Sequence, residues 1–73
     1  MESKYLEFIE VKDTGKTKVW QIISKTSGFI LGHIRWWGAW RQYCFFPSPE
    51  TLFNIQCMQD IQNFIKQAMQ ERK

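Results

Sequence analysis

Residues 28–47, G-F-I-L-G-H-I-R-W-W-G-A-W-R-Q-Y-C-F-F-P, decide the fold. Two runs dense in β-branched and aromatic side chains, 29–37 and 40–46, flank Gly38-Ala39, and together they read as a β-hairpin. Gly stands first in the two-residue loop, as a type II′ turn prefers. Pro47 and Pro49 then end the ladder, because neither can donate a backbone hydrogen bond. With this loop Trp37 pairs with Trp40, and the alternation of a strand sorts the side chains onto two faces. The first carries Ile30, Gly32, Ile34, Trp36, Arg41, Tyr43 and Phe45, with Tyr43 opposite Ile34 and Phe45 lying over Gly32. The second carries Leu31, His33, Arg35, Trp37, Trp40, Gln42, Cys44 and Phe46.

Working outward, residues 4–12 and 17–25 read as two earlier strands. They are joined by Asp13-Thr14-Gly15-Lys16, a turn with Gly where a positive φ is needed, and Thr26-Ser27-Gly28 leads into the hairpin. Carrying the alternation back through these turns adds Leu6, Phe8, Val19 and Ile23 to the first face. Ile9, Val11, Trp20 and Ile22 join the second. From Asn54 onward the period changes from two to 3.6: Cys57, Met58, Ile61, Phe64, Ile65, Ala68 and Met69 fall on one side of a helix over 55–71, polar residues on the other. Asn54 is its natural N-cap, Phe53 and Met58 are spaced as a hydrophobic staple, and Arg72 and Lys73 suit the negative end of its dipole. The predicted fold is α+β: a four-stranded antiparallel β-meander with one C-terminal amphipathic α-helix packed on one face, a single domain over 1–73.

The chain has 73 residues, of which 44% are hydrophobic. Ordering costs about 1.5 kcal/mol per residue, so a chain this short has little apolar surface to leave outside its core without a reason. No run is long enough to span a membrane and the N-terminus is no signal peptide, which predicts a cytoplasmic protein without a membrane partner. Cys44 and Cys57 lack metal spacing, and one His cannot complete a zinc set, so neither a metal nor a cofactor is expected. His33 has no nucleophile or carboxylate close in sequence, and the expectation is a binding protein rather than an enzyme.

One helix covers one side of a four-stranded sheet, yet both faces are apolar. The first face has fewer polar interruptions and is the better match for the helix. The second then displays His33, Arg35, Trp37, Trp40 and Gln42 together. Charge points the same way: of 10 Lys and Arg and 7 Asp and Glu, no acid lies between Thr14 and Pro49, where Lys16, Lys18, Lys25, Arg35 and Arg41 all lie. A positive sheet with aromatic rings suits a phosphate backbone and unstacked bases, each stacked base contributing about 1–3 kcal/mol. Plainer roles compete with these: His33 as an ordinary strand histidine, Trp36 opposite Arg41 as a structural cation–π pair, and five cations as a solvated surface.

The segments V-K-D-T-G-K-T (11–17), L-G-H-I-R-W (31–36), W-R-Q-Y-C-F-F-P (40–47) and C-M-Q-D-I (57–61) resemble the pattern V-x-D-T-G-K-T, L-G-x-I-x-W, W-R-x-Y-x-F-x-P and C-L-x-D-I of a family of small uncharacterised proteins from phages, prophages and other mobile elements. Met58 replaces the Leu. The resemblance implies a mobile-element source, where small proteins bind nucleic acid or block a host complex.

Two readings follow. In the first the chain binds nucleic acid, with Lys16, Lys18, Arg35 and Arg41 on phosphates, Trp37, Trp40 and Tyr43 stacking on bases, and His33 and Gln42 completing the surface. In the second it is a protein-interaction module, a homodimer or an inhibitor or adaptor of a host or defence complex, docking through the uncovered apolar face. A small virion or accessory component is a structural variant of the second.

Overall fold

The computed structural model describes residues 3–72 and has the predicted α+β architecture. Strands β1 (Leu6–Asp13), β2 (Lys18–Ser24), β3 (Ile30–Trp37) and β4 (Gln42–Pro47) precede helix α1 (Ile55–Glu71). The strands lie in sequence order in one antiparallel sheet. Gly15 turns β1 into β2 at φ 89°, where a side chain is disfavoured. The Asp13 carboxylate accepts from its N–H at 2.8 Å.

Helix α1 lies on the first face. Phe64 stacks on Phe8 with ring centroids 4.3 Å apart and meets Trp20 edge-on at 5.0 Å. The fully buried side chains Leu6, Ile22 and Ile34 pack in one cluster with Ile61 and Ala68 of the helix. Asn54 caps the helix as expected, its side-chain oxygen accepting from the Cys57 N–H at 2.8 Å. Phe53 packs edge-on against Phe45 at 5.2 Å, and Met58 lines the same groove beside it. Arg72 terminates the helix through its backbone N–H, bonded to Ala68 O; Lys73 lies outside the described residues.

Three expectations are corrected. The β3–β4 loop is four residues, Gly38–Arg41, and Trp37 pairs with Gln42 rather than Trp40. The Trp40 N–H donates to Trp37 O and the Arg41 N–H to Gly38 O, each at 3.2 Å, which coils the loop, and Arg41 closes it at φ 54°. Four-residue loops built this way compete with two-residue turns, and this one frees the bulky Trp40 from the ladder. Because the slip is two residues, the side chains from Gln42 to Phe46 keep their faces, while Trp40 and Arg41, expected in the strand, belong to the loop. Ile34 now opposes Phe45, while the Phe45 ring still covers Gly32 from a diagonal position: a Cβ on Gly32 would stand 2.7 Å from it.

The second correction concerns β2. Trp20 pairs with Ile34 and Ile22 with Gly32, so both sit under the helix, while Val19 and Ile23 alternate to the opposite face. Bulges between Glu10 and Lys12 and between Ile22 and Ile23 break simple alternation, and a one-residue slip inverts every side chain beyond it. Third, the cation on Trp36 is not Arg41. The Arg72 guanidinium lies 3.9 Å from its ring centroid, and Tyr43 meets the ring edge-on.

Candidate binding surface

Among the described residues, no strand or helix lies over the face opposite α1. Across it runs a row contributed by all four strands, Ile9 beside Gln21, Gln21 beside His33, and His33 beside Phe46. On the β3–β4 side, the neighbouring pairs Arg35–Cys44 and Trp37–Gln42 extend the row toward the loop. Alternation therefore places His33, Arg35, Trp37 and Gln42 together, as the sequence predicted. Trp37 retains 42% of its surface and Trp40, in the loop beyond it, 67%. Arg41 follows Trp40 in the same loop and is exposed.

Phe46 organises this surface. The Arg35 guanidinium lies 4.3 Å from the centre of its ring, and Trp37 meets the ring edge at 6.0 Å. A cation over an aromatic face is attracted by the ring quadrupole while its remaining N–H groups stay free to donate. The result is one cation and one indole ring both set against Phe46. The sequence placed Phe46 on this face without giving it a role, and the two-residue loop set it opposite Leu31; the observed register sets it opposite His33.

The remaining predicted residues lie elsewhere. Tyr43 is buried under the helix, its hydroxyl accepting from the Lys18 N–H at 3.1 Å, so it has no face to offer a base. Lys18 lies on the helix side of β2, its ammonium 3.4 Å from the Glu10 carboxylate. The hydrogen bond to Glu10 and that carboxylate's charge raise its pKa above the usual lysine value. Lys16 sits in the β1–β2 turn and lines a cavity of about 560 Å³ with Lys18, Glu71 and Arg72, also on the helix side. The nucleic-acid reading thus keeps Arg35 and Trp37 on the uncovered face, has Trp40 and Arg41 in the exposed loop next to it, and loses Lys16, Lys18 and Tyr43.

Among the described residues no three His, Cys, Asp or Glu side chains form a group able to hold a metal ion. Cys44 and Cys57 are both free and half-buried. No helix of the described residues is long and apolar enough to cross a membrane.

These features define a small sheet-and-helix protein in which the described residues put no second layer over the other sheet face. The chain belongs to a family of small phage proteins: it is 36% identical over 72 residues, 97% of this chain and 92% of the relative, to the "Uncharacterized 9.3 kDa protein" of Acholeplasma phage L2. No family model matches it. No solved structure matches it either.

Proposed function

We propose that this phage-family protein is a non-enzymatic nucleic-acid-binding protein that uses the uncovered sheet face. The observation carrying the reading is the Arg35–Phe46–Trp37 contact, on a surface to which β2, β3 and β4 contribute no carboxylate. Arg35 and Arg41 take phosphates, and Trp37 and Trp40 offer rings to unstacked bases. His33 and Gln42 supply hydrogen bonds beside them. Nothing in this arrangement reads base edges in a groove, so the expected ligand is single-stranded and loosely specified in sequence.

Fluorescence anisotropy with mixed single- and double-stranded DNA and RNA at about 50 and 200 mM salt tests it, since phosphate contacts weaken steeply over that range. The expected result is preferential single-strand binding that falls with salt and is lost in Arg35→Ala/Trp37→Ala. Absence of binding at the lower salt ends the reading.

Docking of a host protein is the second reading, favoured by the exposed apolar side chains of Ile9 and Val11 on β1. A protein partner captured by the wild-type chain and lost in Ile9→Lys, with no nucleic acid in the complex, supports it over the first.

A further inference from the structure

The cavity of about 560 Å³ on the helix side is shared by the β1–β2 turn and the C-terminal end of α1. Three of its lining residues, Trp20, Tyr43 and Ala68, are buried in the core and give it an apolar floor. Its walls are polar: Lys16 and Thr17 come from the turn, and Arg72 is the residue that ends the helix. Pockets for small ligands run from about 300 to 1,000 Å³ and combine an apolar lining with a few convergent polar groups. This cavity has that size and that make-up.

The charges around it are not equivalent. Lys16, Lys18 and Arg72 line it together with the acids Asp13 and Glu71. Both carboxylates are already in use, Asp13 accepting from the Gly15 N–H at 2.8 Å and Glu71 from the Gln67 side-chain amide at 3.2 Å. Lys18 is paired with Glu10. That leaves the Lys16 ammonium and the Arg72 guanidinium, neither of which has a hydrogen-bond or ion-pair partner among the described residues. The Arg72 group lies flat on Trp36, 3.9 Å from the ring centroid, which steadies it while its N–H edge stays free to donate. Lys16 projects from a turn held by its own bonds: the Thr14 hydroxyl accepts from the Thr17 N–H at 3.0 Å, and the Thr14 N–H donates to Thr17 O at 2.9 Å.

We propose that this cavity binds a small organic phosphate, Lys16 and Arg72 taking the phosphoryl oxygens and the apolar floor taking the organic part. A phosphoryl group carries several strong acceptor oxygens and more than one negative charge, so it can meet a compact ammonium and a planar guanidinium at the same time. A carboxylate has one charge and two oxygens, which the fork of Arg72 alone would satisfy. A cationic ligand fits less well, because both acids of the cavity are engaged. The cavity lies across the sheet from Arg35 and Phe46, so this inference stands whether or not the uncovered face binds nucleic acid.

The test is NMR of the full chain titrated with adenosine monophosphate and, separately, with inorganic phosphate, both at constant ionic strength so that screening does not change. The expected result is saturable movement of the Gly15, Lys16, Thr17 and Arg72 amides, with the nucleotide binding at least about tenfold more tightly because it also covers apolar surface. Lys16→Ala weakens nucleotide binding at least about tenfold, since it removes a charge-assisted hydrogen bond. Lys16→Arg restores it, and Arg35→Ala leaves it unchanged. Lys16 is exposed in its turn, so the alanine variant keeps the fold, which its amide spectrum checks directly. Shifts that fail to saturate by about 10 mM ligand overturn the inference. So does a Lys16→Ala variant that binds as tightly as wild type, or equal affinity for the two probes, which leaves a bare anion contact. Shifts confined to Arg35, Trp37 and Phe46 assign the phosphate to the uncovered face and overturn it too. A response of the turn amides to a short single-stranded oligonucleotide but not to the mononucleotide gives the phosphate to a nucleic-acid strand, and the small-ligand site falls.

Discussion

The guanidinium of Arg35 rests 4.3 Å above the ring of Phe46, on the side of the sheet that α1 does not cover. The two residues are on neighbouring strands, but they are not direct partners: Arg35 pairs with Cys44, and Phe46 with His33. The contact is diagonal, within the reach of long and aromatic side chains across a strand pair. It lays the Arg35 stem along the sheet and leaves the charged head at the surface. A cation held this way loses less freedom on meeting a phosphate than one on an unsupported chain.

That support sets a prediction for the proposed activity. Arg35→Ala lowers the slope of log affinity against log salt by about one phosphate contact. Phe46→Leu keeps the charge and removes the ring, so affinity falls while the slope stays nearly constant. Anisotropy titrations across a salt series separate the two. Equal slopes for wild type and Arg35→Ala would remove Arg35 from the binding surface.

Gly32 is a position where any side chain meets backbone. A Cβ there would stand 2.5 Å from the Phe46 carbonyl oxygen and 3.0 Å from the Pro47 Cα, besides the 2.7 Å approach to the Phe45 ring. The ring can turn aside but the β4 backbone cannot do so without opening the ladder. Gly32→Ala is expected to cost about 1–3 kcal/mol, the range of overpacked cores. Urea denaturation measures this, with Gly38→Ala as the comparison, since a Cβ at Gly38 meets nothing within 4 Å.

The elements that a local signal specifies were legible in the sequence. Helix α1 has the predicted bounds because its apolar stripe holds a 3.6-residue period from Cys57 to Met69 and Asn54 marks its start. Arg35, Trp37 and Gln42 share a face as predicted, although the hairpin loop is longer, because a two-residue slip preserves alternation. Trp20 and Ile22 did not keep their predicted face, since their phase had to be carried through a turn and past a bulge. The Arg72–Trp36 contact joins residues far apart in the chain and had no sequence signal at all.

Tyr43 illustrates what replaced a predicted binding role. Its ring is buried against Trp20 and Trp36, and its hydroxyl accepts from the Lys18 N–H, tying β4 to the start of β2 across β3. Tyr43→Phe keeps the packing and orphans that N–H. The expected loss is about 1 kcal/mol, or roughly 4–8 °C in Tm for a domain of this size. Nucleic-acid affinity at a temperature where both proteins are folded should be unchanged, because the hydroxyl lies on the covered side.

The N-terminal segment is held by a side-chain pair 57 positions apart. The Ser3 hydroxyl donates to the Asp60 carboxylate and accepts from the Leu6 N–H at 3.1 Å, while the Lys25 ammonium donates to the Ser3 carbonyl at 2.7 Å. Gln56 steadies the other oxygen of Asp60 at 3.0 Å, one helical turn earlier. Ser3 is the buried polar residue among those described, and a buried hydroxyl is costly unless its bonds are made. These bonds lead the chain into Leu6, which is itself fully buried, so they fix how β1 enters the sheet. Ser3→Ala and Asp60→Ala should each destabilise by about 1–2 kcal/mol, with a coupling energy of at least about 0.5 kcal/mol in a double-mutant cycle. Amide exchange gives the sharper readout: Ser3→Ala should raise the exchange rate of the Leu6 N–H while leaving amides of β3 protected. Strictly additive single substitutions would show that the two side chains act independently, and that β1 is held by its apolar contacts alone.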